Sequence, residues 1–330
     1  MQGTMKAAVY ERYGPPEVVE IKDVPRPVPA DDEVLIKTIA ATVTSSDWRA
    51  RTMIGPAGYG PIPRLAFGIF GPRRKILGTE MAGRIAAIGK DVTAFKSGDA
   101  VIAYPGFAMG CHAEYITIPA SGKIIPKPQI LTFPEAAALS FAGTSALHFL
   151  RTNGDVKPGE TVLIIGASGA LGTMGVQIAK YFGAHVTGVC SAAHLERVAS
   201  IGADRVVDYT QTDITRSGET FDVVFDTAGA LPLGKIRQLL RPAGRGVAAA
   251  GSLRDTITAP LWSRLRDQKF YAGVAAETVN DMHFLADLAQ KGALKPVIDR
   301  VYPFDQITQA HAHVGSGHKA GNVVVEFAQA

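Results

Sequence analysis

Residues 161–179 constrain this chain more than any other stretch: they carry no charge and hold Gly166, Gly169, Gly172 and Gly175. An uncharged run of that length approaches the roughly 20 residues a membrane span needs. The glycine spacing favours another reading. The apolar run Thr161–Ile165 predicts a strand, and Leu171, Met174 and Ile178 predict a helix over 170–182. Strand, glycine turn and helix then arrive in the order a dinucleotide-binding unit requires. Gly166 permits the tight turn, Gly169 admits a pyrophosphate to the backbone, and Gly172 lets the helix pack close to the strand. Amides around Ser168, Gly169, Ala170 and Leu171 would face the phosphates at the helix start. A glycine triplet alone also fits a plain packing turn; the surrounding elements favour the cofactor.

The rest of the chain supplies that context. It has 330 residues, 47% hydrophobic and 19% charged, with a formal net charge of +4. Such a chain supports about two domains at roughly 150 residues each and is not predominantly disordered. Two cysteines, Cys111 and Cys190, can build neither a disulfide framework nor a four-cysteine zinc site, and free thiols fit a reducing cytoplasm. The N-terminus from Met1 to Tyr10 lacks the charged-then-apolar layout of a signal peptide. Basic residues are mostly scattered among acids and no nucleic-acid module motif appears, so neither nucleic acid nor membrane is expected as a partner.

Residues 5–125 read as β-rich, with strand-like Val34-Leu-Ile-Lys-Thr-Ile and Gly83-Arg-Ile-Ala-Ala-Ile and turn signals at Gly89-Lys-Asp and Ser97-Gly-Asp. Thr132-Phe-Pro-Glu135 matches a capping box that opens a helix to about Leu150. Beyond Thr161–Ile165, strands are predicted at 185–189, 205–209, Phe221–Asp226 and 246–250, with helical patterns such as 231–240 between some of them. That alternation implies a parallel sheet with crossovers. A last helix is expected at 281–290, and the tail from Pro296 returns to β texture. The predicted fold class is α/β: a β-rich domain over 1–128 and 295–330 interrupted by a doubly wound, Rossmann-type domain over 129–294.

The end of the second predicted strand speaks to which dinucleotide. NAD sites usually place an acid there, about 20 residues beyond the glycines, on the ribose hydroxyl. Here the strand ends Thr187-Gly-Val-Cys190-Ser191, and the first acid is Glu196 on the following helix. The missing carboxylate favours NADP(H), whose 2′-phosphate it would repel. Ser191, His194 and Arg197 could supply hydrogen bonds and charge, although Arg197 also reads as a solvated helix residue and His194 as a surface cap.

Taken together, the layout resembles the medium-chain dehydrogenase/reductase superfamily, and within it the zinc-independent quinone oxidoreductase (zeta-crystallin-like) branch. The resemblance covers nearly the whole chain and rests on Met5-Lys-Ala-Ala-Val-Tyr-Glu-Arg-Tyr-Gly, Thr44-Ser-Ser-Asp47-Trp-Arg, Leu77-Gly-Thr-Glu-Met-Ala-Gly, Ser97-Gly-Asp-Ala-Val, His112-Ala-Glu-Tyr, the glycine turn, Ile201-Gly-Ala-Asp and Val207-Asp-Tyr. It implies a GroES-like β-rich domain, a Rossmann domain and an active cleft between them. Zinc-dependent members carry Cys where this chain has Thr44 and His where it has Thr79, and a four-cysteine loop absent here; no metal is expected. His311, His313 and His318 read as surface histidines, because His311 and His313 fall on different faces of a helix.

Without a metal or a Tyr-x-x-x-Lys pair, a quinone or an α,β-unsaturated carbonyl is the easier hydride acceptor, since its negative charge spreads over a conjugated system. The protein then has to align donor and acceptor and offer hydrogen bonds to the oxyanion. By resemblance Thr44, Ser45, Ser46, Asp47 and Trp48 wall that cleft. Thr44 or Ser46 could donate to the acceptor oxygen, whereas Asp47 fits better as a structural residue holding a loop. Thr144 resembles a position near the nicotinamide, or is an ordinary helix hydroxyl. Tyr209 resembles one beside the adenosine phosphate, or is a strand-end aromatic; Lys319 and Asn322 resemble residues that close over the cofactor. Strand ends at Thr227, Ala228, Gly229, Gly251, Ser252, Gly273 and Val274 complete the implied cofactor contacts.

Residues 48–79 depart from the family pattern, with Arg49, Arg51, Arg64, Arg73, Arg74 and Lys75 and no acid. They read either as a lid whose charge favours an anionic partner or as a solvated loop. The expectation is an NADPH-dependent quinone or enone reductase acting on a small molecule, a homodimer through the Rossmann sheet edge near 270–276. A 2-enoyl or aldehyde reductase (alcohol dehydrogenase-like) on the same scaffold and a non-catalytic NADPH-binding sensor remain open.

Overall fold

In the computed structural model, which describes residues 3–60 and 62–328, the chain forms two units. The first takes residues 3–54, 62–141 and 278–328, and the second residues 55–60 and 142–277. Met1 and Gln2, part of the N-terminal reading, lie outside the described residues.

The first unit is β-rich. Strand β1 (Thr4–Val9) pairs antiparallel with β2 (Glu20–Pro25), which ends at the first proline of the Val24-Pro-Arg-Pro stretch. A second sheet contains β3 (Glu33–Val43), β4 (Met81–Ile88), β5 (Ala100–Ala103), β6 (Tyr115–Pro119) and β7 (Ile124–Pro126). In it β3 pairs with β4 and β6, β4 with β5, and β5 with β7, all antiparallel. Helices α1 (Ser45–Thr52) and α2 (Ile62–Phe67) lie between β3 and β4. The core gathers Val34, Ile36, Met81, Ile85 and Val101, each at most 2% exposed. These are alternating inward positions, which is what one buried sheet face requires.

Helix α3 (Phe133–Ala137) starts on the expected box, with the Thr132 amide donating to the Glu135 carboxylate at 2.8 Å. The single helix expected to Leu150 is broken: α4 (Ser140–Leu147) restarts after Leu139 and passes into a π-type turn over His148–Asn153. The cause lies far off in sequence. Glu80 accepts from the amides of Ser140 at 3.0 Å and Phe141 at 2.7 Å, and so caps a new helix start.

The second unit runs β8 (Thr161–Ile165), α5 (Ala170–Tyr181), β9 (His185–Cys190), α6 (Leu195–Ser200), β10 (Arg205–Asp208), β11 (Phe221–Asp226), α7 (Leu233–Gln238), β12 (Leu240–Ala248), α8 (Leu253–Leu265) and β13 (Lys269–Ala272). Among the described residues its sheet is parallel throughout, in the order β10-β9-β8-β11-β12-β13. The order reverses direction beside β8 and β11, which is where ligands bind in open α/β sheets, beyond the strands' carboxyl ends. Strand β12 starts earlier than expected, and a register irregularity opposite Phe221 and Val223 accommodates its extra residues. The 161–179 stretch is thus β8, a turn and most of α5; among the described residues no helix is long and apolar enough to cross a membrane.

The chain then returns to the first unit with α9 (Val279–Gln290), β14 (Ile298–Pro303), α10 (Ile307–Gly315) and β15 (Asn322–Glu326). Strand β15 pairs parallel with β14 and antiparallel with β3. The unit boundaries fall at 141/142 and 277/278 rather than 128/129 and 294/295. Packing explains the shift: α3 lies on β3 and β4, α9 lies on β7, and the Gln129 amide donates to Gln290 Oε1 at 3.0 Å. Helical texture alone could not assign those two helices to the β-rich unit.

Candidate functional site

The glycine turn follows β8, where Gly166 takes φ +76°, a conformation L side chains rarely adopt. Each glycine has a separate reason to lack a side chain. A Cβ on Gly172 would lie 2.1 Å from the Gly166 carbonyl oxygen and 2.7 Å from Ala167 Cα, so this glycine lets α5 meet the turn. A Cβ on Gly169 would meet only that same oxygen, at an ordinary 3.5 Å. Packing therefore does not explain Gly169; it leaves room above the backbone that a Cβ would fill. Gly169 is also the N-cap of α5 and offers no side-chain acceptor. The amides of Ala170 and Leu171, half-buried at the first turn, thus retain the donors and dipole that suit a pyrophosphate. The backbone here fits the diphosphate of a dinucleotide.

Side chains at the end of β11 tie down this turn and the loop beside it. Thr227 Oγ1 donates to the Ile165 carbonyl at 2.8 Å and to Gly166 O at 3.2 Å. Asp226, fully buried, accepts from the amides of Ala228, Gly229 and Leu231 at 2.8–3.0 Å, and burial raises its carboxyl above the usual range. The sequence reading missed Asp226, for which the only signal was an acid at the carboxyl end of a mostly apolar strand.

At the ribose end, Ser191 follows β9 as the N-cap of a short 3-10 turn over Ala192–His194, its hydroxyl not used as the cap; Ser191, His194 and Arg197 are all half-buried. The neighbouring strand brings Asp208 opposite Cys190. That carboxylate is engaged by the Thr210 amide and hydroxyl, each at 2.9 Å. Tyr209 is exposed, with its amide donating to the Cys190 carbonyl at 3.1 Å. Further round the sheet, the Ser252 hydroxyl is committed to the capping box of α8, donating to Asp255 at 2.6 Å. That leaves Gly251 and the backbone of Ser252 as the contacts this strand end can offer. Gly273 has open space where a Cβ would stand, and Val274 is 79% exposed. Thr144 is fully buried on α4.

In the β-rich unit, Asp47 is a structural residue by its contacts. It closes the capping box of α1, accepting from the Thr44 amide at 2.8 Å and the Thr44 hydroxyl at 2.6 Å, and its other oxygen accepts from the Gly78 amide at 2.8 Å. The same geometry commits the Thr44 hydroxyl proton to Asp47. Ser46, half-exposed at the second residue of α1, stands outside that box.

Behind this helix start lies a buried polar cluster. Glu80, fully buried, binds the Ser140 and Phe141 amides and accepts from Thr42 Oγ1 at 2.8 Å; burial pushes its carboxyl up to about 8. His112 meets the Thr42 carbonyl through Nε2 at 2.9 Å and packs edge-on against His311, ring centroids 5.4 Å apart. His311 is 0% exposed, with neither ring nitrogen hydrogen-bonded among the described residues, and burial holds it well below its ordinary value. It is therefore not a surface histidine. His313, on another face of α10, is half-exposed and bonds Tyr302 and Asp299, and His318 is exposed. Lys319 and Asn322 also belong to this unit. The Lys319 ammonium donates to the Gly321 carbonyl at 2.9 Å and burial lowers it to about 8, while the Asn322 amide is spent on the Val297 carbonyl at 3.1 Å.

This donor set does not fit a catalytic zinc. Thr44 and Thr79 present buried neutral hydroxyls, weak ligands beside thiolate or imidazole. Cys111 is buried and its thiol is pushed well above the usual range, chiefly by desolvation, which disfavours the thiolate zinc binds. Among the described residues no three His, Cys, Asp or Glu side chains converge as a metal site.

Comparison with known proteins agrees with the two-unit architecture. The family described as "Alcohol dehydrogenase GroES-like domain" matches residues 30–129, and that described as "Zinc-binding dehydrogenase" matches residues 201–325. A chloroplastic quinone-oxidoreductase, QR1 of Triphysaria versicolor, is 32% identical over 98% of each chain. The mitochondrial NAD(P)H oxidoreductase RTN4IP1 of Mus musculus is 29% identical over 97% of this chain and 89% of its own. Among solved structures, the quinone oxidoreductase from Coxiella burnetii superposes with a TM-score of 0.85 at 27% identity, over 98% of this chain and 99% of that one.

Proposed function

Because the chain belongs to the medium-chain dehydrogenase/reductase superfamily, as a GroES-like and Rossmann-type NAD(P)H-dependent oxidoreductase, we propose that it reduces a quinone or an α,β-unsaturated carbonyl with NADPH and without zinc. The observation that carries this reading is the pairing of an open backbone cradle at Gly169–Leu171 with hydroxyls, not zinc ligands, at Thr44 and Thr79.

NADPH, when bound, supplies the hydride. The chain's own part is to hold, orient and polarise. Gly166, Ser168, Gly169, Ala170 and Leu171 would bind the diphosphate through the turn and the α5 dipole. Ser191, His194 and Arg197 would receive the 2′-phosphate at a strand end where Cys190 stands in place of an acid and Asp208 is turned onto Thr210. Ser46 would donate to the acceptor oxygen, with Asp47 and Thr44 fixing the helix start that presents it. An enone or quinone oxygen needs only such a donor as its charge develops, whereas a simple alcohol or aldehyde couple calls for a Lewis acid or a dedicated base. The names of QR1 and of the Coxiella burnetii structure support the acceptor class. A reducing cytoplasm suits the two buried free thiols, Cys111 and Cys190.

NADPH oxidation measured with a naphthoquinone, a small enone and an aldehyde tests the proposal. Turnover is expected with the first two, at least tenfold more efficiently with NADPH than with NADH, and unaffected by chelator. Turnover confined to the aldehyde, or abolished by chelator, overturns it, and tight NADPH binding with no turnover on any acceptor identifies a sensor instead. The homodimer is supported by an exposed apolar stripe on α8, Ile257, Leu261 and Leu265, beside the edge strand β13. Leu261→Glu is expected to shift a dimer towards monomer in light scattering, and an unchanged mass would count against this edge.

A further inference from the structure

Outside the residues assigned above, the GroES-like unit carries an open groove of about 670 Å³. That volume lies within the usual range of small-molecule pockets, roughly 300–1,000 Å³. Its floor is apolar: Ile76, Met109, Ile116 and Ile118 line it. Its rim is cationic. Arg73, Arg74 and Lys75 line one side and are exposed, and Lys123 joins them from the turn between β6 and β7. No carboxylate is among the lining residues. Lys75 pairs with Glu11 at 3.8 Å, between two side chains about 60% exposed, a contact that solvent largely screens.

Both walls are fixed by the fold. The Tyr10 amide donates to the Lys75 carbonyl at 2.9 Å, and Val9 bridges to Ile76, which ties the basic tripeptide to β1. Opposite, the Tyr104 amide donates to the Lys123 carbonyl at 2.9 Å, and the Lys123 ammonium lies 4.9 Å from the Tyr104 ring centre. The 104–112 segment is laced to 77–79 by Gly106 to Thr79, Gly110 to Leu77 and Cys111 to Gly78 backbone bonds of 3.1–3.2 Å. Three adjacent cations, with no acid among the described lining residues, give this rim a positive potential that favours an anion. An apolar floor beneath them selects an anion with an apolar body.

We propose that this groove is a binding site for a small phosphorylated amphiphile: a phosphate monoester held by Arg73, Arg74, Lys75 and Lys123, with its apolar chain on Ile76, Met109, Ile116 and Ile118. Arginine matches phosphate oxygens in a fork, and two neighbouring arginines favour a phosphate over a monodentate anion. The occupant is a single soluble molecule rather than a bilayer, because the apolar surface is concave and the cations border it. The site extends the function beyond hydride transfer and does not depend on it.

Calorimetric titration of the full chain with octyl phosphate below its micelle concentration tests the proposal. Saturable one-to-one binding is expected, at least tenfold tighter than for 1-octanol or inorganic phosphate. The double variant Arg73→Ala/Arg74→Ala should bind at least tenfold more weakly. Ala108→Glu, which places a carboxylate at an exposed lining position, should abolish binding. Both variants should keep the wild-type melting temperature and NADPH affinity. Absence of saturation, equal affinity in both variants, or binding only to vesicles of anionic lipid overturns the proposal. Since octyl phosphate alone is titrated, a negative result leaves the reductase reading intact, and a failed reductase assay leaves this result standing.

Discussion

In the Rossmann-type unit the surface offered to a ligand is main chain. Gly166 turns, Gly169 leaves room, and the amides that open α5 point outward without a side-chain cap. In the GroES-like unit the corresponding surface is held by buried side chains from distant segments: Asp47 joins Thr44 to Gly78, and Glu80 joins Thr42 to Ser140 and Phe141. A backbone site needs residues with little or no side chain, so it is robust to everything except added atoms. A side-chain network in a poorly solvated interior depends on each partner, because any group left unpaired keeps its full desolvation cost.

The contrast can be broken at its strongest point first. Gly172→Val places atoms within 2.1 Å of the Gly166 carbonyl position, so loss of folded protein, or destabilisation by about 4 kcal/mol or more, is expected in thermal melts. A melt close to wild type would mean that α5 can shift away from the turn.

Asp47→Ala comes next. It removes the partner of the Thr44 amide and hydroxyl and of the Gly78 amide, and is expected to cost roughly 3 kcal/mol in denaturant unfolding. Asp47→Asn keeps one acceptor oxygen, enough for the capping box or for the Gly78 amide but not for both, so it should lose less than Asp47→Ala and keep kcat within a few-fold. A kcat collapse in a stable Asp47→Asn protein would show that the carboxylate does chemistry.

Glu80→Gln probes the buried network through pH. In the folded chain the Glu80 carboxyl sits at about 8 against an ordinary 4.5. The unfolded chain therefore releases this proton first, and wild-type stability falls as pH rises from 4.5 to 8 before levelling. Glu80→Gln should lack that component and gain progressively on wild type over the same window, by several kcal/mol at its upper end. Parallel stability curves for the two proteins would indicate that Glu80 is ionised when folded.

The smallest change to the fold is expected from Gly169→Ala, whose new Cβ meets only the Gly166 oxygen at 3.5 Å. Melting temperature should stay within a degree or two, while NADPH affinity drops about tenfold because the methyl stands where the diphosphate approaches. Unchanged affinity would remove the pyrophosphate from this turn.

How much was legible in advance follows the same division. The strand-turn-helix at 161–182, the parallel sheet and the return of the tail to the β-rich unit were all readable, because periodicity and glycine spacing are local consequences of backbone geometry. Asp47 was favoured as a loop-holding residue because an ionised acid is a poor donor to an oxyanion, and in the structure its carboxylate is taken up by the capping box of α1 and the Gly78 amide. Long-range effects were not visible. Helix α4 begins where it does because Glu80, sixty residues earlier, caps it. Arg51 was counted with the basic loop, yet it is 1% exposed and donates to the Gly14 carbonyl at 2.5 Å. Arg49 is half-buried, so the exposed positive charge of that stretch narrows to Arg64 and Arg73 to Lys75.

By itself, then, the order of residues determined where the backbone turns and which faces are apolar, because those properties are set by neighbours a few bonds away. Only tertiary structure decided that His311 is buried against His112, that the Thr44 hydroxyl donates its hydrogen bond to Asp47 and leaves Ser46 outside the capping box, and that Arg73 to Lys75 overlook an apolar groove. Such outcomes depend on which distant segments exclude water together, and desolvation is a property of the assembled interior rather than of any single stretch of chain.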